Sequence, residues 1–164
     1  KRGMKDIAHG IFWDPVLVTM CQDAGVGARM KVRLGGKICA ESGEAVDMDV
    51  TVRAIRENMT QKLGETEMPM GTGVWLDADG VHLVISSLRT QNFSPSVYTD
   101  LGMDITQMKA LIPKSTNHFY QNFEKISPQV IHVRSPGTVT PDMTIIPYTK
   151  RDGNYWPKVE NPFT

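Results

Sequence analysis

The chain has 164 residues, with 18 basic and 18 acidic side chains and a formal net charge of zero. This length suffices for one domain with a hydrophobic core. The balanced charge gives no general electrostatic support for binding a nucleic acid. No apolar run approaches the roughly 20 residues of a membrane-spanning helix, and no secretory signal is visible. Two cysteines, Cys21 and Cys39, are too few for a disulfide framework and predict free thiols in a reducing compartment, the cytoplasm.

The first half of the chain alternates between strand and helix signals. A short apolar run, Ile7–Trp13, ends at Asp14, a typical helix N-cap, and Pro15 is typical of the first helical position. Apolar residues then follow at helical spacing until a pair of glycines. Alternating apolar residues predict strands within 28–34 and 48–54.

The second half begins with a hairpin signal, because residues 74–76 and 81–87 flank the turn Asp77-Ala78-Asp79-Gly80. The later segments are interpreted as a loop at 92–103, a buried strand at 108–112, a strand at 130–133 and an irregular Pro- and Gly-rich tail at 135–164 that packs on the domain. Strand–helix–strand units combined with antiparallel hairpins predict a single α/β or α+β domain with a mixed sheet flanked by helices.

The segment that follows the strand at 108–112 is the most informative about function. Lys114, Ser115 and Thr116 form a polar turn, after which aromatic residues recur at helical spacing. Ser115 or Thr116 can cap this helix, which places Lys114 and His118 at a helix N-terminus, where anions and carboxylates are favoured. The buried face of the helix is predicted to be Phe119, Tyr120 and Phe123.

Arg89 and Gln91 open the loop after the hairpin. An arginine suits bidentate recognition of a carboxylate, although a surface arginine paired with an acidic neighbour is the alternative. Nucleophilic catalysis by Ser115 is not favoured, since no GxSxG elbow surrounds it.

The histidines do not suggest a metal site. They are far apart, and there is no HExxH motif and no paired Cys/His spacing. No metal ligand is therefore predicted within this chain. The alternation around His82 predicts that its side chain lies on a solvent-exposed face.

A series of short segments occurs in order along nearly the whole chain: residues 11–16 (IFWDPV), 23–27 (DAGVG), 33–37 (RLGGK), 42–43 (SG), 50–53 (VTVR), 89–95 (RTQNFSP), 114–119 (KSTNHF), 135–137 (SPG) and 147–148 (PY). Together they resemble the C-terminal domain of the microcystinase C (MlrC)-like metallopeptidases. The resemblance implies a bacterial, zinc-dependent peptidase or amidohydrolase that acts on small peptides or amides. It also implies that the metal ligands lie in a larger N-terminal domain.

The chain begins Lys-Arg-Gly without an initiator methionine, so it is interpreted as the C-terminal part of a two-domain protein. We expect it to complete the active-site cleft, to bind no zinc alone and to be inactive alone. Lys114 and Arg89 would pair with a substrate carboxylate, with Ser115 and Gln91 as further substrate-binding residues. His118 would donate a hydrogen bond to a tetrahedral oxyanion or a substrate carbonyl.

The expected partners are the N-terminal metal-binding domain and a small peptide or amide substrate, with neither nucleic acid nor membrane. A homo-oligomer is left open. The alternatives are a non-catalytic interface or oligomerisation module and a small anion-binding domain. The discriminating feature is whether Lys114, His118 and Arg89 converge on one concave surface.

Overall fold

The computed structural model describes residues 3–135, 139 and 142–163. The elements in chain order are β1 (Ile7–Trp13), α1 (Pro15–Ala24), β2 (Arg29–Leu34), β3 (Val46–Leu63), β4 (Thr66–Ala78), β5 (Val81–Ser86), α2 (Ser96–Thr99), β6 (Ala110–Pro113) and α3 (Tyr120–Phe123), with single 3-10 turns at Ala40–Ser42, Ile105–Gln107 and Met143–Ile145. All six strands belong to one mixed sheet with the order β2-β3-β4-β5-β1-β6. The predicted fold class, α/β or α+β around a mixed sheet, is therefore confirmed.

The sheet divides into an antiparallel part and a parallel part. Neighbours among β2, β3, β4 and β5 are antiparallel, whereas β1 is parallel to both β5 and β6. Parallel strands end at the same edge of a sheet. The ends of β5, β1 and β6 therefore bring the three following loops together at one place, which we call the carboxyl edge.

Helix α1 forms as the sequence predicts. The Asp14 side chain accepts a hydrogen bond from Leu17 N at 3.1 Å, and Pro15 occupies the first turn. Gly25 ends the helix with a φ of 81°, a conformation that residues with a side chain rarely adopt. The buried side of α1 packs on one face of the sheet, in a cluster with Val52, Leu76, Leu83 and Ile85.

A second core lies on the opposite face of the sheet. It includes Tyr98 of α2 and the two aromatic residues Phe119 and Phe123, all buried. The β3–β4 hairpin extends beyond β2 and β5, and this extension, residues 54–72, is called the arm. Met59 and Met70 of the arm are buried in the same core.

The segment after β6 differs from the sequence prediction. β6 is a half-exposed edge strand rather than a buried one, and Ile112 is 44% exposed. The following helix is a single turn, α3, whose N-cap is Phe119 without any side-chain cap bond, so the prediction that Ser115 or Thr116 caps it is wrong. One turn is enough to bury the aromatic residues, because Phe119 and Phe123, four positions apart, both reach the core. The predicted burial of Phe119 and Phe123 is confirmed, and that of Tyr120, which is 41% exposed, is wrong.

Other elements also differ. No strand forms at 130–133, where Ile131 and Val133 point into solvent. The predicted loop at 92–103 contains α2. The side chain of His82 is mostly covered rather than solvent-facing, because its Nδ1 accepts a hydrogen bond from Trp75 Nε1 at 3.1 Å.

The tail is largely irregular in its described residues, 139 and 142–163. Tyr155 is buried, its hydroxyl donates to the Met143 carbonyl at 3.0 Å, and its ring contacts Tyr148 and Arg151. These contacts all lie within the tail. The packing of the tail on the domain, and the assignment of the whole chain to one domain, therefore stay predictions. Residues 136–138, 140, 141 and 164 of the tail lie outside the described part.

Candidate functional site

All five residues that the sequence suggests for a site lie at the carboxyl edge. Arg89 and Gln91 follow β5, and Lys114, Ser115 and His118 follow β6. In open sheets with parallel strands, ligands bind in the crevice outside the carboxyl ends of the strands. The topology therefore places the predicted residues where a ligand would be expected.

Gln91 and Ser115 make direct contact across this edge. The Ser115 hydroxyl donates to Gln91 Oε1 at 2.9 Å, and the backbone N–H of Thr116 donates to the same oxygen at 3.3 Å. One amide side chain thus satisfies two donors of the turn after β6. This junction ties the loop after β5 to the turn after β6.

The arm holds the loop after β5 from the other side. Gln61 on β3 is 2% exposed, and its Nε2 donates to the Gln91 carbonyl at 2.6 Å. Its Oε1 accepts from the buried backbone N–H of Phe93 at 2.8 Å. The side chain of Gln61 therefore makes the hydrogen bonds to the loop backbone that a neighbouring strand would make in a sheet. These bonds fix the position of Gln91.

Lys114 is fixed by its backbone. Its N–H donates to the Gly10 carbonyl at 2.6 Å and its carbonyl accepts from Asn92 N–H at 3.0 Å. The side chain is exposed and its charge acts on His9 of β1: burial first, and then this charge, lower the pKa of His9 to about 4. Within the described part of the chain no carboxylate pairs with the ammonium group of Lys114, which lies beside an imidazole that stays neutral at pH 7.

Arg89 and His118 each lie against an aromatic ring. The Arg89 guanidinium carbon is 5.7 Å from the centre of the Trp13 ring, and Trp13 Nε1 donates to the Ser87 carbonyl at 3.1 Å. The exposed imidazole of His118 meets the Phe93 ring edge-on at 5.9 Å. Because α3 is one turn long, the helix N-terminus that was expected to attract anions beside Lys114 and His118 does not form, and that part of the sequence argument is wrong.

The five residues share an edge, at which the three cationic or imidazole side chains, Arg89, Lys114 and His118, face solvent. An open depression of about 680 Å³ lies elsewhere, between β2, β3 and the end of β4, and is lined in part by Arg29, Lys31, Arg53 and Asp77. A smaller one is formed by residues 147–151 of the tail. With Arg89, Lys114 and His118 all exposed, the carboxyl edge is an exposed polar rim.

A metal site does not fit the described residues. Within 3–135, 139 and 142–163, no group of three or more His, Cys, Asp or Glu side chains is placed to hold an ion. Asp14, at the carboxyl edge, is already engaged, since one oxygen caps α1 and the other forms an ion pair with Lys37. The same described ranges contain no helix long and apolar enough to cross a bilayer.

Two polar residues that support the edge were missed in the sequence. Gln61 occupies an inward position of β3, two residues after the buried Met59, and a polar residue at a core position is a signal that could have been read. Asn92 is fully buried, and its Nδ2 donates to the Tyr98 hydroxyl at 2.9 Å. No spacing in the sequence indicates this second contact, because it depends on how α2 packs.

Comparisons with known proteins agree with the geometry. Residues 1–150 match the family model described as MlrC C-terminus. Microcystinase C from a Sphingomonas species is 30% identical over 148 residues, which are 90% of this chain but only 28% of that protein. A candidate metallopeptidase from Mesorhizobium sp. BNC1, with a solved structure, shares the fold with a TM-score of 0.72 and 24% identity, over 81% of this chain and 27% of that one. The resemblance seen in the sequence is thereby confirmed, and the chain belongs to the family of MlrC C-terminal domains.

Proposed function

We propose that this chain is the C-terminal domain of a zinc-dependent bacterial hydrolase of small peptides or amides, and that its carboxyl edge binds the substrate. The family match and the similarity to a microcystinase support the hydrolase class. Because the described residues do not fit a metal site, the zinc and its ligands are assigned to an N-terminal domain of the same protein. Free thiols at Cys21 and Cys39 support a cytoplasmic location.

The observation that carries the proposal is the junction of Gln91 with Ser115. It joins the loops after β5 and β6, which carry Arg89 and Lys114 at the same edge of the sheet. A substrate-binding group needs such support, since its orientation decides how well it binds. Two cations held there suit an anionic group, and the carboxylate of a short peptide is the anion that this family of hydrolases would meet.

His118 is proposed to donate a hydrogen bond to the carbonyl of the substrate, or to the oxyanion that forms from it. The support is its position on the rim and the Phe93 ring that restricts its imidazole. Proton transfer is not assigned to it. Its role is to stabilise negative charge on oxygen as the amide is attacked.

The proposal can be tested with the full-length protein by comparing a short peptide that has a free C-terminal carboxylate with the same peptide as its C-terminal amide. The wild type should prefer the acid, mainly through KM. Arg89→Ala and Lys114→Ala should each raise KM for the acid by about 10- to 100-fold, the range of a hydrogen bond to a charged group. The amide should be affected much less.

Lys31→Ala is the matched control, since Lys31 is an exposed cation on β2, far along the sheet from the carboxyl edge. It should change neither KM nor the preference. An unchanged acid preference in both edge variants would remove Arg89 and Lys114 from the site. Loss of preference in the Lys31 variant as well would point to a general charge effect instead.

A further inference from the structure

One face of the sheet is only half covered by the described residues. Helix α1 packs over β3, β4 and β5. In the sheet order, β1 and β6 lie beyond β5, to one side of the helix. His9 of β1 is in register with Leu83 of β5 and with Ile112 of β6, so the three side chains point to the same face. Leu83 is buried beneath α1, whereas Ile112 is 44% exposed.

The flank of α1 that looks toward this uncovered area is apolar. Gln22 on the other flank donates to Glu57 of β3 at 3.4 Å, which shows which side of the helix faces β3. At about 100° per residue, Met20 lies on the opposite flank, toward β1 and β6, and Val16 lies next to it on the outer side of the helix. Val16 is 68% exposed and Met20 is 47% exposed.

The floor between this flank and β6 carries no charge at neutral pH. The His9 ring meets the Phe12 ring at 4.5 Å, and burial, followed by the charge of Lys114 on the rim, lowers the pKa of His9 to about 4, so the imidazole is neutral. We call the surface formed by His9, Phe12, Val16, Met20 and Ile112 the β1–β6 face. An apolar surface with a polar rim is typical of a contact site for another folded unit.

We propose that the β1–β6 face is the surface on which the N-terminal domain of the same polypeptide docks. The inference rests on the proposed function, in which such a domain precedes this one. The chain spans 28% of the length of microcystinase C. A protein of that size contains a large segment besides this domain, and that segment must pack somewhere on or beside it. Residues 3–6 lead directly into β1, the strand that forms the floor of the face, so a preceding domain would be tethered to that strand. A second copy of the chain has no such tether.

The methionines of the chain provide a native reporter. Peroxide oxidises exposed methionines and spares buried ones. Met20 on the β1–β6 face and Met143 in the tail have nearly equal exposure in this domain, 47% and 46%. Met59 and Met70, both buried in the core, serve as protected references. The full-length protein is treated with hydrogen peroxide, and oxidation is followed at each methionine by peptide mass spectrometry.

Each rate is divided by the rate of the same methionine in the guanidinium-unfolded protein. If the N-terminal domain covers the face, Met20 should oxidise at least about tenfold more slowly than Met143. Equal relative rates at Met20 and Met143 would overturn the proposal. Protection of Met20 that disappears when an oligomer is diluted to monomers would also overturn it, since a second copy would then be the occupant.

A charged substitution gives an independent check. Val16→Asp leaves the core intact, because the side chain is 68% exposed, but places a carboxylate in the proposed contact. It should return Met20 to the relative rate of Met143, whereas Gln22→Asp, which adds the same charge on the flank that faces β3, should not. Oxidation does not depend on turnover, so failure of the acid–amide comparison leaves this result unchanged, and the reverse also holds.

Discussion

Replacing Gln61 by leucine should destabilise the chain much more than an ordinary strand substitution. Leucine has a similar size, so the change removes hydrogen bonds with little change of volume. The N–H of Phe93 would lose its acceptor at 2.8 Å, in a residue that is 5% exposed. A buried donor left without a partner costs about 1–3 kcal/mol. The Gln91 carbonyl would lose a donor at 2.6 Å but keeps the Thr90 hydroxyl at 3.3 Å, so its share is smaller.

The sum is a loss of about 2–3 kcal/mol in the free energy of unfolding. Urea denaturation of the chain measures it, and hydrogen exchange of the Phe93 amide by NMR shows whether the lost bond is the cause. Thr60→Ala is the matched control, because Thr60 is the neighbouring residue on β3 and is exposed. Its cost should stay within about 0.5 kcal/mol.

The reasoning would be refuted by a loss below about 1 kcal/mol together with unchanged exchange protection at Phe93. That result would mean that Gln61 fits beside the loop without holding it. A full loss of stability without faster exchange at Phe93 would also contradict it, since the cost would then arise elsewhere.

Three further changes test other parts of the fold. Phe123→Ala should cost about 3–5 kcal/mol in urea denaturation as a core truncation, and the 41% exposed Tyr120→Ala less than about 1 kcal/mol; equal costs would show that the face of α3 is misassigned. Asp14→Ala should lower stability by about 1–2 kcal/mol in thermal unfolding, whereas Asp14→Asn, which keeps the cap but not the charge, should lose clearly less; equal losses would assign the effect to the ion pair instead. The folded pKa of His9, about 4, is below its ordinary value of 6.5, so the unfolded chain binds more protons between these values. Stability should therefore be complete above pH 6.5 and fall by up to about 3 kcal/mol as the pH drops toward 4, and His9→Leu should flatten this part of the curve in urea denaturation at several pH values.

Local signals in the sequence were sufficient to predict the structural features that depend only on residues close together in the chain. The cap at Asp14 and the turn at Asp79 and Gly80 involve residues within four positions of each other, and both were predicted correctly. The length of β3 was not predicted correctly. Its alternation of buried and exposed residues is interrupted by irregularities between Val52 and Ala54 and between Arg56 and Met59. A period-2 pattern that shifts phase twice does not read as one strand.

The helix after β6 shows how a correct pattern can predict too much. Phe119 and Phe123 are four residues apart, which is helical spacing, and both are buried. One turn is enough to satisfy that spacing, and the apolar residue that would have extended it, Ile126, is 49% exposed. The pattern therefore identified Phe119 and Phe123 correctly and Tyr120 wrongly, while the argument from a helix N-terminus, which needs a longer helix, failed.

What positions the candidate site is a chain of contacts that runs across the sheet. Gln61 on the arm holds the backbone of Gln91 and Phe93; the Gln91 side chain holds Ser115, and the Phe93 ring contacts His118. Both loops of the carboxyl edge therefore depend on a residue that lies on neither. Because the edge itself is exposed, its shape is set by this buried support rather than by the side chains on its surface. Relatives that differ in the arm should then present the same edge residues in a different arrangement.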